Sequence, residues 1–387
     1  MRIGIVTHWN SSDNYGQQLQ CYALQTLLRS WGHDAFLIRY APLKRKKNLW
    51  QKISDILKHP ENILIHLPFP TAHKRNVLKE IQLKNENDKK NPVRCFEDFR
   101  QQHLKMSAKI YNSYSELEKD PPKADIYITG SDQVWHDSYE DVTSKGMFLQ
   151  FGDSQTKRIS YAASIGRKLY DFELPIFRTY LSHFDAISVR EESVYNLCLK
   201  LGIKAQICVD PTMLLPIETY KKLLYPTKID TDYAFLYILN VKKTEDFYWS
   251  QINEYLSKSR LALKFVTGSG YYQGRELIEG NTNLLATVPE WLCYVANARC
   301  VFTTSFHGTV FSILMHRPFL TIGLQGKYSH SNNRMKQLLQ KLGIQERMLD
   351  PQKNIQTQMD TPIDWEEVDR RMEKMRKSSL DFLKENL

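Results

Sequence analysis

Residues 1–40 read as a strand, a helix and a second strand in immediate succession, and this pattern constrains the chain more than any other. The run RIGIVTH is short and β-branched and ends in a polar turn. GQQLQCYALQTLLRSWG then repeats its apolar residues at helical spacing, and AFLIRY follows directly. A strand that returns through a helix to its neighbour pairs parallel with a right-handed crossover, so this opening dictates a helix-covered parallel sheet. Strand-like runs recur at ADIYITG, RISYAAS, DAISVR and AQICVD, with amphipathic stretches over 174–184 and 191–201 between the later ones. The passage VDPTMLLPIETYKKLLYPTKIDTD is rich in turn residues, and a second series follows it. That series runs YAFLYILN, a helical 245–257, LALKFVTG, a helix near 289–297, RCVFTTS, a helix from Gly308, FLTIG and a helix from Asn332. The expected fold class is α/β, with two Rossmann-like domains over 1–215 and 230–387. A last charged helix over 364–386 is placed to cross back to the first domain. Ligands of open parallel sheets lie beyond the carboxyl ends of the strands, so the expected site is an interdomain cleft.

A chain of 387 residues with 42% hydrophobic content is too long for one ordinary core and too apolar for disorder. Its formal charge of +10 is concentrated between Leu43 and Lys105, which predicts a basic helical insertion over about 43–105. Two readings of that insertion stay open: a solvated face, or a surface for anionic lipid head groups or a diphosphate carrier. No nucleic-acid partner is expected, because aromatic residues are not interleaved with the basic ones. The six cysteines are scattered through apolar runs and read as reduced core residues. No metal and no bound cofactor are expected: CxxC, HExxH, acidic calcium loops, GxGxxG and GxxxxGK[ST] are all missing from the sequence. MRIGIVTHWN lacks the layout of a signal peptide, and no apolar run approaches the roughly 20 residues of a membrane helix. The expected location is the cytoplasm, with peripheral contact at the inner membrane face if the basic insertion meets lipid.

Polar clusters sit where predicted strands give way to loops. They are Asn14-Tyr15-Gly16-Gln17, Ser131-Asp132-Gln133, Ser164, Arg190-Glu191 and Ser305 to Gly308. Any one of them reads equally well as a turn or a helix cap. Their shared position is what marks them as a candidate binding set. TTSFHGTVFS places Ser305 and His307 at a helix start, where exposed N–H groups favour an anion and Gly308 permits close backbone approach. His307 is either a proton shuttle or a neutral capping residue. Arg190 offers a planar fork for a carboxylate or phosphate; its structural alternative is a salt bridge to Glu191, Glu192 or Asp185. KYSHSNNRM adds Lys327 and Arg334 as further anion binders. The glycine loop GSGYYQG over 268–274 is a weaker cleft-lining candidate.

In order along the chain, NYGQQLQCYAL, ITGSDQVW, SYAASIG, ISVREESV, VDPTMLL and SFHGTVFSILMHRPF resemble the polysaccharide pyruvyl transferase family over about residues 1–345. The resemblance implies a glycosyltransferase B-like arrangement of the two domains. It also implies phosphoenolpyruvate as donor and a sugar acceptor, and it makes His307 the catalytic acid or base. The expected reaction bridges two hydroxyls of a galactose-type hexose as a 4,6-ketal, on a polysaccharide precursor or a lipid-diphosphate-linked one. Asp132 is the expected carboxylate that orients or deprotonates a sugar hydroxyl. Many members carry Arg-Leu-His-Gly where this chain has Ser305-Phe306-His307-Gly308, so the phosphate contact falls to Arg334 or Lys327. The alternatives are a nucleotide-sugar glycosyltransferase on the same architecture and a non-catalytic glycan-assembly protein.

Overall fold

Apolar strands alternating with amphipathic helices assemble into two parallel sheets in the computed structural model. It describes residues 1–42, 89–137, 142–225, 232–241, 243–268, 277–281, 283–326, 329 and 332–387. Most of the basic insertion, residues 43–88, therefore lies outside the described residues. The first sheet comprises β1 (Arg2–Val6), β2 (Asp34–Tyr40), β3 (Met106–Tyr111), β4 (Ile126–Thr129), β5 (Lys157–Ala163), β6 (Ala186–Val189) and β7 (Gln206–Ile207). Its order is β3-β2-β1-β4-β5-β6-β7. The second comprises β8 (Tyr233–Ile238), β9 (Ala262–Thr267), β10 (Cys300–Thr303) and β11 (Phe319–Thr321), in the order β11-β10-β8-β9.

Every described pairing is parallel, with Ile3 opposite Ile126 in the first sheet and Val301 opposite Phe235 in the second. The fold is thus α/β with two Rossmann-like sheets. YAFLYI in β8 is buried at every residue, because a central parallel strand is covered on both faces. β3 was not foreseen. It is an edge strand whose Ala108, Lys109 and Ile110 face solvent, and an edge that carries polar residues loses the apolar signal of a strand. The helical stretch foreseen over 245–257 divides into a 3₁₀ turn, Thr244–Phe247, and a helix, Trp249–Ser259, with Tyr248 left-handed between them.

In each sheet the chain winds outward from a central strand and then returns to that strand's other side. The reversal falls between β1 and β4 in the first sheet and between β8 and β10 in the second. Such reversals open a crevice at the carboxyl ends of the strands.

One apolar core joins the two sheets. It includes Ile5 and Ile128 from the first, Phe235 and Val301 from the second, and Phe382 from the helix Trp365–Asn386. That last helix lies along the first sheet: Ser379 Oγ accepts from the Val209 amide at 3.0 Å and Arg376 Nε donates to the Met213 carbonyl at 2.8 Å.

Tyr15 is the centre of the join. Its ring stacks on Trp291 at 5.4 Å and meets Tyr237 edge-on at 5.6 Å. Its hydroxyl donates to the Ala286 carbonyl at 2.7 Å and accepts from Arg94 Nη1. Tyr15 was expected to touch substrate; instead it is wholly buried, since a ring flanked by aromatics of both halves has no route to solvent. Burial pushes its hydroxyl pKa up to about 12, against the opposing effect of Arg94, so it stays a neutral donor. Trp291→Ala is expected to destabilise the protein by about 3–5 kcal/mol through the cavity it leaves, measured as a fall in the urea midpoint.

Candidate active site

The loops after β1 and β4 meet at the first reversal. Asn14 caps the helix Tyr15–Ser30, its Oδ1 accepting from the Gln17 amide at 3.2 Å, which leaves the Gln17 side chain free to reach across. Gln17 Nε2 donates to Asp132 Oδ2 at 3.0 Å. Asp132 holds φ at +76°, a left-handed conformation that short polar side chains tolerate better than branched ones, and its carbonyl accepts from the amides of Val134 and Ser164. Ser131 Oγ donates to Asp210 Oδ2 at 3.0 Å, and Ser164 Oγ donates to Glu191 Oε1 at 2.6 Å.

All three carboxylates surround Arg190, whose side chain is 4% exposed. Its Nη1 donates to Asp210 at 2.8 Å, while Nε lies 3.5 Å from Glu191 and Nη2 lies 3.7 Å from Asp132. Of the salt-bridge partners foreseen for Arg190, only Glu191 is in place. Asp185 binds the Arg158 amide instead, and Glu192 starts the next helix. Asp210 was missed as a site residue. It follows the run AQICV just as the other clusters follow theirs, and that position was the available signal.

Burial alone would raise the Asp210 carboxyl, but His307, Arg190 and the Thr212 hydroxyl outweigh it and hold the group far below the usual carboxylate range. Asp132 is likewise opposed by burial and drawn down to about 2 by Arg190, His8, His307 and Arg334. Burial works against the Arg190 charge, yet Glu191, Asp210 and Asp132 together raise its pKa.

The second sheet contributes the helix Phe306–Leu314 at the end of β10. Ser305 caps it by accepting from the Gly308 amide at 3.3 Å. His307 Nε2 stands 3.5 Å from Asp210 Oδ2, so the two sheets meet across a carboxylate and an imidazole. Gly16 is required by this contact, since a Cβ there would fall 2.0 Å from His307 Nδ1. The missing side chain of Gly308 makes room for Thr303, whose Oγ1 would lie 2.3 Å from a Cβ.

Phe306 carries both site arginines on its ring, with Arg190 Cζ 4.9 Å and Arg334 Cζ 5.6 Å from the centroid. Arg334, from the helix Asn332–Leu342, has no hydrogen-bonded or ion-paired acceptor among the described residues, and its Nε is buried. Burial and the Arg190 charge lower its pKa. Lys327 lies outside the described residues, as does most of the 268–274 glycine loop. Among the described residues, no three His, Cys, Asp or Glu side chains converge as metal ligands.

Two cavities flank the cluster, and Arg334 borders both. The first, of ≈ 320 Å³, is lined by Arg190, Asp210, Phe306, Lys341 and Lys374 among others. The second, of ≈ 370 Å³, is lined by Gln133, Glu191, Asn333, Arg167 and Asp171 among others. Asp132 and His307 are 7% and 6% exposed and line neither cavity.

Two parallel α/β sheets facing each other across a charged crevice define a class of two-sheet proteins whose ligands bind at strand ends. Within that class, the sequence matches the polysaccharide pyruvyl transferase family over residues 14–326, and the chain belongs to that family. No curated protein sequence matches it. Solved structures that it resembles include the UDP-GlcNAc 2-epimerase of Neisseria meningitidis bound to UDP-GlcNAc, at 10% identity and TM-score 0.46 over 100% of both chains. The UDP-GlcNAc 2-epimerase of Methanocaldococcus jannaschii is similar at 12% identity and TM-score 0.41, over 97% of this chain and 93% of that one. The calicheamicin glycosyltransferase CalG4 is similar at 12% identity and TM-score 0.42, over 98% and 94%.

Two outcomes test the geometry. Gly16→Ala forces the His307 ring from its seat and is expected to destabilise the protein by about 1–3 kcal/mol, read from thermal unfolding. Because Asp132 titrates lower when folded than its usual value of about 3.9, its stabilising contribution is complete above about pH 4 and lost as the pH falls towards 2. Asp132→Asn should flatten that part of the acid-unfolding curve.

Proposed function

We propose that the chain transfers the pyruvyl group of phosphoenolpyruvate onto two hydroxyls of a hexose. The observation that carries this reading is Arg334, whose Nε is buried and which has no hydrogen-bonded or ion-paired acceptor among the described residues. A buried donor left unpaired costs free energy, so this position is suited to an anion rich in acceptor oxygens. Phosphoenolpyruvate carries a carboxylate and a phosphate on one small frame. Arg334, with no acceptor among the described residues, is assigned to the donor's phosphate. In this reading Arg334 takes the place of the arginine that Ser305 replaces.

His307 donates a proton to the methylene carbon, which builds positive charge on the adjacent carbon. One sugar hydroxyl attacks there, phosphate leaves, and a second hydroxyl closes the ketal. Two hydroxyl protons are released in all: one restores His307 and the other departs with phosphate. Asp210 fixes the orientation of the imidazole. Asp132 is too weakly basic at about 2 to hold a proton, so its role is to accept a hydrogen bond from the attacking hydroxyl and orient it. Gln17 braces Asp132, Ser131 braces Asp210, and Ser164 braces the neighbouring Glu191.

The same reading takes the units 1–215 and 230–387 as its two domains. Its acceptor is a galactose-type hexose, bridged at positions 4 and 6, on a lipid-diphosphate-linked precursor at the inner face of an anionic membrane. No described helix is long and apolar enough to cross a membrane. The test is incubation with labelled phosphoenolpyruvate and a galactoside. His307→Ala should lower kcat by about 10²–10⁴-fold, and Arg334→Ala should raise KM for phosphoenolpyruvate by about tenfold or more. Phosphate release without a pyruvylated sugar would overturn the reading, as would full activity in the His307 variant.

A further inference from the structure

Ketal formation needs an acid and a base at the same moment, and the groups assigned above supply only the acid. His307 starts with its proton on, so it cannot take the proton of the first attacking hydroxyl in the same step. Asp132 orients that hydroxyl but is a poor base. Burial raises its carboxyl, yet Arg190 and then His8 outweigh burial and help to draw it down to about 2.

His8 stands in the loop after β1, beside the loop after β4 that carries Asp132. Side chains bind the two loops together: Gln20 Nε2 donates to Thr7 Oγ1 at 3.0 Å, and Thr7 Oγ1 donates to the Ser131 carbonyl at 3.0 Å. The imidazole completes this lacing, with Nε2 3.2 Å from the Gln133 carbonyl. A carbonyl oxygen only accepts, so Nε2 carries a hydrogen, and the neutral ring keeps its lone pair on Nδ1. Nδ1 has no hydrogen-bond partner among the described residues. His8 is half-buried and so more open than Asp132 at 7% or His307 at 6%. Its effect on the Asp132 carboxyl places the two side chains within electrostatic reach of each other.

We infer that His8 is the general base of the reaction, its Nδ1 taking the proton of the hydroxyl that Asp132 orients. This role rests on the pyruvyl transfer proposed above. As the hydroxyl O–H bond breaks, an N–H bond forms on Nδ1, and the oxygen's electron pair makes the new bond to the cationic carbon. When the bond from that carbon to the phosphate oxygen breaks, phosphate keeps the electron pair and takes the proton from His8. The proton of the second hydroxyl restores His307, so both imidazoles end as they began.

His8→Gln separates a base from a brace, because the glutamine amide can still donate to the Gln133 carbonyl but has no basic nitrogen. In the transfer assay its kcat should fall about 10²–10⁴-fold while KM for phosphoenolpyruvate stays unchanged, with thermal unfolding as in the wild type. Wild-type kcat in His8→Gln overturns the role and leaves the transfer standing. A wild type that pyruvylates no sugar overturns the transfer itself, and the role falls with it. A second measurement needs no variant: nitrogen-15 NMR of histidine-labelled protein at the pH of the assay, with the His8 ring assigned through its backbone. The expected spectrum has hydrogen on Nε2 and a bare, pyridine-type Nδ1. Hydrogen on Nδ1, in the other neutral tautomer or in the imidazolium, overturns the assignment.

Discussion

The imidazole of His307 lies against the bare Cα of Gly16, and the relation of the two sheets depends on that contact. A residue from the turn after β1 and one from the turn after β10 approach so closely that no side chain fits between them. Two further links between the sheets flank this contact in the chain. Tyr15, one residue earlier, enters the shared aromatic core with Trp291 and Tyr237. Gln17, one residue later, turns back to Asp132. Three successive residues thus serve packing, close approach and electrostatic order, because the first turn of a helix points successive side chains in different directions.

The charge arrangement follows from the same geometry. Asp210 is reached by Ser131, Thr212, Arg190 and His307, and its carboxylate ties the first sheet to the second. A buried carboxylate is costly on its own; here cations and hydroxyl donors offset the cost and keep it ionised. Arg190 is neutralised from inside the protein by three carboxylates, whereas Arg334 reaches the same Phe306 ring without an acceptor among the described residues. Two arginines at similar positions therefore have different availability. The sequence assigned them one role, and the surroundings divide it.

The alternation of strands and helices was legible because burial on both faces of a parallel sheet demands continuous apolar runs. The clusters at strand ends were legible because turns leave polar residues nowhere else to go. β3 escaped notice because an edge strand is free to be polar. The packing of Thr303 against Gly308 was not legible, because a glycine at a helix start serves a ligand or a neighbouring side chain equally well and only tertiary structure shows the neighbour. Asp210 was overlooked because a carboxylate before proline looks like an ordinary turn.

By itself the sequence determined two parallel α/β units, polar clusters at the strand ends, a histidine at a helix start and the family to which these belong. These are properties of local periodicity and of residue order, which survive without knowledge of distant contacts. Only the tertiary structure decided that Tyr15 is core, that Gly16 makes room for His307, that Asp210 links the sheets and that Arg334 keeps an open guanidinium between two cavities. Each of these depends on which residues far apart in the chain come within a few ångströms, where sterics and Coulomb forces act and sequence spacing carries no information.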